Sequence, residues 1–162
     1  MDKTAAISAC GQYRYRLTRS WDQERGILPI VMLNPSTADA EVDDPTIGRC
    51  ISFARRDGFG GILVVNLFAF RAPAPDDMMA AADPVGPDND VVLTSIFGTA
   101  AQLGIPVLAA WGANGEYNNR ADQVGRLALQ LGARLVCLGR TAAGHPRHPL
   151  YVRSDQAFEG YE

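Results

Sequence analysis

Long apolar runs are missing from this chain of 162 residues. Nothing in it approaches the roughly 18 consecutive apolar residues of a membrane-spanning helix, so no membrane partner is expected. Cysteine is scarce. Cys10, Cys50 and Cys137 are odd in number, far apart and free of any Cys-x-x-Cys spacing, which argues against a disulfide framework or a zinc ribbon. Cys50 and Cys137 fall inside apolar patterns and read as small buried hydrophobes. Lysine is nearly absent: of the 15 basic residues only Lys3 is one. No glycine-rich phosphate cradle follows the first apolar run, against an NTPase or a dinucleotide cofactor. No Gly-x-Ser-x-Gly elbow supports a serine nucleophile at Ser36. No cofactor is therefore expected. Met1-Asp2-Lys3-Thr4 opens into no signal-peptide pattern, and the expected location is cytoplasmic.

What is present is ordinary globular material, 47% hydrophobic and 20% charged. That suffices for a core without staples, and the length suits a single domain over residues 1–162. The net charge of −3 speaks against a broad nucleic-acid face. The charge is uneven, however: residues 1–117 carry −5 and residues 118–162 carry +2.

Four continuous apolar runs stand out: Pro29–Leu33, Ile62–Val65, Pro106–Trp111 and Arg134–Leu138. Unbroken hydrophobicity is what a strand needs when helices cover both faces of its sheet. Helical patterns separate the runs. The first starts at Pro45 behind the N-cap Asp44 and stops at Gly58; the second runs from near Asp88 to Gly104; the third runs from about Asn118 to Gly132. The expected fold is α/β: a three-layer α/β/α sandwich around a mainly parallel, four-stranded, doubly wound sheet. Residues 12–18 alternate large and charged side chains and suit an N-terminal antiparallel edge strand. Residues 71–87 read as a surface loop with at most one helical turn, and residues 158–162 as a frayed tail.

In open α/β sheets ligands bind outside the carboxyl ends of the strands. That edge receives Asn34 and Ser36 after the first run, Asn66, Phe68 and Phe70 after the second, and Trp111 after the third. Arg140, His145, Arg147 and His148 follow the fourth. Asn34-Pro35-Ser36 is either turn chemistry or an amide presented to a ligand or a water. Asn66 follows a buried run directly and must find partners, in a neighbouring loop or in the edge of a planar heterocycle. His145 and His148 lack a third ligand, so no metal is expected. Asp39, Glu41, Asp43 and Asp44 form an acidic loop in which Asp44 caps a helix; Asp43 is the candidate general base. Arg140 and Arg147 present guanidinium groups suited to phosphate.

Most of the chain, residues 13–151, resembles a bacterial family of unknown function, number 1643. The stretches that carry the likeness are Met32-Leu-Asn-Pro-Ser-Thr-Ala-Asp39 with Asp43-Asp-Pro-Thr46, Val65-Asn-Leu-Phe68, Ala110-Trp-Gly112 and His145-Pro-Arg-His-Pro-Leu-Tyr151. In order, the motifs are also similar to those of the uracil-DNA glycosylase superfamily. Met32–Ser36 resembles its Gly-Ile-Asn-Pro-Gly motif, and Val64-Val-Asn66 its strand-end Asn. Leu108–Gly112 resembles its Leu-Leu-Trp-Gly strand, and His145–Leu150 its final His-Pro-Ser-Pro-Leu loop. The chain departs from that pattern at Arg147-His148, where the superfamily has one Ser. It departs again at Asn34, where the more active branches carry a water-activating Asp.

The resemblance implies base flipping. Asn66 would pair with the base edge, and Phe68 or Phe70 would stack on it. Asn34 would position a water, and His145 or His148 would stabilise the charge on the departing base. Ser36, Arg140 and Arg147 would hold phosphates. The expected partner is thus DNA or a nucleotide-like small molecule. The competing readings are a small-molecule or nucleotide protein using the same crevice without DNA, and a binding module without turnover.

Overall fold

Among the described residues, 1–161 of the computed structural model, seven strands and four α-helices follow one another. They are β1 (Asp2–Ile7), β2 (Arg14–Ser20), β3 (Ile27–Met32), α1 (Pro45–Arg56), β4 (Gly61–Asn66), α2 (Pro75–Met79) and α3 (Asn89–Leu103), then β5 (Val107–Ala109), α4 (Arg120–Gln130), β6 (Leu135–Cys137) and β7 (Glu159–Gly160). Local chemistry sets the helix limits. Asp44 caps α1 by accepting the Ile47 N–H at 2.9 Å, with Pro45 in the first turn. Gly104 ends α3 in the left-handed region at φ 67°.

All seven strands join one mixed sheet in the order β1-β2-β4-β3-β5-β6-β7. The pairs β3–β4, β3–β5 and β5–β6 are parallel, whereas β1–β2, β2–β4 and β6–β7 are antiparallel. Successive strand side chains point to opposite faces, and the two apolar clusters follow that alternation. Leu28, Ile30, Ile62, Val64 and Leu108 pack with Ile47, Cys50 and Phe53 of α1. Val31, Val65, Val107 and Ala109 pack with Met78 of α2, Leu93 and Phe97 of α3, and Val124 of α4. Truncating a core ring such as Phe53 or Phe97 to alanine costs about 3–5 kcal/mol.

This sheet is larger than the one expected, and two expectations need correcting. The N-terminal antiparallel strand is not at the edge: β1 covers β2 on its outer side. Arg19 of β2 is fully buried against Asp43 at 2.7 Å. The charged alternation of residues 12–18 mimics a solvent face, while β1, exposed along nearly its whole length, carries no hydrophobic pattern to betray it. Residues 158–161 do not fray. Glu159 and Gly160 pair with Cys137 and Val136, and Tyr161 N–H bonds the Leu135 carbonyl at 3.0 Å. Glu162, the last residue of that expected tail, lies outside the described residues. Within the expected loop 71–87, α2 forms and buries Met78.

The topology also creates the crevice. From the end of β3 the chain turns to α1 on one face; from the end of β5 it turns to α4 on the other. Neighbouring strands whose connections leave in opposite directions part at their carboxyl ends and leave room for a ligand.

Candidate functional site

A cavity of about 620 Å³ opens at that point. Each parallel strand contributes to its wall. Met32 and Leu33 lead from β3 into Asn34 and Ser36, Asn66 ends β4, Trp111 to Asn114 follow β5, and Thr141, Arg147 and His148 follow β6. The N-terminus of α1 adds Asp44 and Thr46, and Arg14 reaches in from β2.

Asn66 is the anomaly. It is 1% exposed, and neither its amide oxygen nor its amide nitrogen has a hydrogen-bond partner among the described residues. Such an orphaned amide costs about 1–3 kcal/mol. Its backbone, by contrast, is tightly held. Asn89 Nδ2 donates to the Asn66 carbonyl at 3.0 Å and to the Leu67 carbonyl at 3.1 Å. Arg120 Nε donates to the same Leu67 carbonyl at 2.8 Å, and its Nη2 donates to Asp90 at 2.6 Å. The strand end is fixed while the side chain it carries is left unpaired.

Asn34 is arranged differently. Its Nδ2 donates to the carbonyls of Pro35 and Ala72, each at 3.0 Å. Two carbonyl acceptors demand the NH2 end of the amide, so the oxygen is the free end and acts as an acceptor. His148 is oriented by the chain itself: its Nδ1 accepts the Leu150 N–H at 3.2 Å. Nδ1 is therefore unprotonated, and the neutral ring carries its hydrogen on Nε2. Burial lowers the His148 pKa below the usual 6.5, with Asp44 a weaker opposing influence. At neutral pH His148 is an uncharged donor.

Trp111, 2% exposed, forms part of the wall, and its indole N–H has no partner among the described residues. Gly115 lies against it; a Cβ there would fall 2.2 Å from Trp111 Cδ1, so a side chain would displace the ring. Arg14 is 2% exposed, donates from Nη1 to the Ala38 carbonyl at 2.8 Å and leaves Nε without a partner among the described residues. Burial pulls its pKa down to about 10, Asp44 opposing, so it stays charged at neutral pH.

The structure thus brings together Asn34, Ser36, Asn66, Trp111, Arg147 and His148 around one cavity. It does not bring in the others. Phe68 is fully buried in the core on the far face, its ring 5.9 Å from Tyr117, because it lies two residues past Asn66 where the chain has already left the strand. Phe70 packs edge-on against Tyr13. Asp43 pairs with Arg19 and, at 3.6 Å, with Lys3; Asp44 beside it is the carboxylate at the cavity. Arg140 lays its guanidinium over Tyr161, 4.5 Å from the ring centre. His145 sits 3.7 Å from Glu116 and lines a separate groove along α4. Arg14, Asp44, Thr46 and Thr141 were missed as wall residues. Asp44 was visible as a cap, but nothing local marks Arg14, which is placed there by the pairing of β2 with β4.

The family model described as a protein of unknown function, DUF1643, matches residues 14–150. The chain belongs to that family. No curated protein and no solved structure matches it.

Proposed function

We propose that this member of the DUF1643 family recognises a nucleobase-like heterocycle in the strand-end cavity and hydrolyses the N-glycosidic bond that holds it, as a uracil-DNA glycosylase does. The observation that carries the reading is the Asn66 amide, a buried donor and acceptor side by side with no partner among the described residues. A pyrimidine or purine edge offers the complementary acceptor and donor. The order of strand-end motifs, similar to that of the uracil-DNA glycosylase superfamily, supports it further.

In this mechanism Asn66 holds the base edge and Trp111 bounds the cavity beside it. The free oxygen of Asn34 accepts a hydrogen bond from a water and aims it at the anomeric carbon. As the carbon–nitrogen bond breaks, its electron pair moves into the base. The Nε2–H of His148 stabilises that developing negative charge; a neutral imidazole donates to an anion without first having to lose a charge. The water oxygen bonds the sugar carbon, and its proton passes to the Asp44 carboxylate. Leu150 and Tyr151, 39% and 80% exposed at the cavity mouth, suit insertion beside an extruded nucleotide.

An abasic-site assay tests this with single- and double-stranded oligonucleotides carrying uracil, hypoxanthine or xanthine. Base release is expected at low salt. Asn66→Ala should abolish it, and Arg126→Ala, which removes only an exposed pair with Asp122, should leave it intact. Neither release nor binding from any of these strands would overturn the DNA reading. The second reading, a free nucleotide-like ligand bound without DNA, is favoured by the depth at which Arg14 lies.

A further inference from the structure

The proposed function leaves Arg14 unexplained. A guanidinium removed from water is costly unless it is paired and hydrogen-bonded. Here the group is 2% exposed, and no carboxylate lies within 4 Å of it among the described residues. One nitrogen, Nη1, meets the Ala38 carbonyl; Nε has no hydrogen-bond partner among the described residues. Among the described residues Nη2 makes no hydrogen bond either, and Arg14 stands in the cavity wall. The other buried arginines are treated differently. Arg19 pairs with Asp43 at 2.7 Å, and Arg120 with Asp90 at 2.6 Å. A fold that twice neutralises a buried guanidinium has left one without a carboxylate in the wall of the strand-end cavity.

We infer that the ligand of this cavity carries its own oxyanion, a phosphate monoester or a carboxylate, and that Arg14 receives it inside the cavity. Planar guanidinium nitrogens match two oxygens of such a group. The hydroxyl of Ser36 and that of Thr46, at the start of the twelve-residue α1, lie in the same wall. The first turn of α1 adds the positive end of its dipole. Asp44 is the unfavourable charge, and one of its oxygens is engaged by the Ile47 N–H. Depth decides the source. Arg14 is 2% exposed in the wall, which favours the terminal group of a compact free ligand such as a nucleoside monophosphate over the phosphodiester of a strand. This inference rests on reading the cavity as the ligand site; it needs no turnover.

Calorimetric titration of the whole protein tests it, with the four common nucleosides, their 5′-monophosphates, inorganic phosphate, acetate and a short single-stranded oligonucleotide. At least one monophosphate should bind about tenfold or more tightly than its nucleoside, the scale of a charge-assisted hydrogen bond. In Arg14→Gln that advantage should disappear while nucleoside binding remains; in Arg14→Lys part of it should survive. If Arg14→Gln does not fold, the monophosphate-to-nucleoside ratio of the wild-type protein and the Arg14→Lys value decide. Equal affinity for nucleoside and monophosphate, with no binding of phosphate or acetate, overturns the anion site and leaves base recognition standing. Binding of phosphate or acetate that Arg14→Lys weakens, with no preference for any base, overturns base recognition and leaves the anion site. An oligonucleotide that binds as tightly as the best monophosphate overturns the free-ligand source. No binding of any probe overturns both.

Discussion

Asn66 ties stability and function in opposite directions. Its unpaired amide contributes nothing to the native state, and Leu has nearly its shape without its polar atoms. Asn66→Leu should therefore leave the melting temperature unchanged or raised, while ligand binding is lost. Thermal melts alongside the binding titration check this, and a strongly destabilised Asn66→Leu would mean that the amide is satisfied in solution. His148 yields a pH signature. Its folded pKa is lowered, so the unfolded chain takes up the proton first as pH falls. The stability gained from keeping the ring neutral is full above about 6.5, the unfolded value, and is lost progressively below it. Denaturation from pH 8 to pH 5 should show wild type losing more stability than His148→Gln over that interval.

At the scale of elements, α1 joins the fold to the site through one residue. Asp44 both caps the helix and faces the cavity. Asn caps as well as Asp, whereas Ala does not, so Asp44→Ala should cost about 1 kcal/mol in denaturant titrations and Asp44→Asn close to nothing. A fall in turnover in Asp44→Asn at unchanged stability would then belong to the lost carboxylate. The same helix also explains what could be read from the chain alone. Asp44, Pro45 and Gly104 announce helix limits through backbone chemistry that acts within a few residues. Unbroken runs such as Ile62–Val65 announce buried strands. The outer strands have no such voice: β1 is exposed, β7 is two residues long, and both exist because a neighbouring strand offers an open ladder. The site divides in the same way. Asn34, Asn66 and Trp111 stand directly at strand ends, where a general rule locates them. Arg14 sits at the start of an antiparallel neighbour, and Phe68 and Phe70 follow a strand end yet turn elsewhere. Register and pairing decide these three, and neither leaves a local trace.

For the whole molecule the charge pattern bears on the choice of partner. The net −3 and the −5 of residues 1–117 oppose a long polyanion. The +2 of residues 118–162 does not gather at the cavity: Arg147 and His148 line it, Arg140 lies over Tyr161, and Arg126 pairs with Asp122. Binding through a few enclosed contacts should weaken only mildly between 50 and 200 mM salt, whereas a strand neutralising 6–10 phosphates would lose about 10³–10⁵ in affinity. A titration at both salt concentrations separates the two.

Tyr161 meets Trp111 edge-on, ring centres 5.6 Å apart, and Trp111 also lines the cavity. β7 and the tyrosine that follows it therefore brace the site from outside. A version trimmed after residue 157 would take away β7 and the ring that meets Trp111, giving the indole more solvent. Its tryptophan emission would redden before any ligand was added.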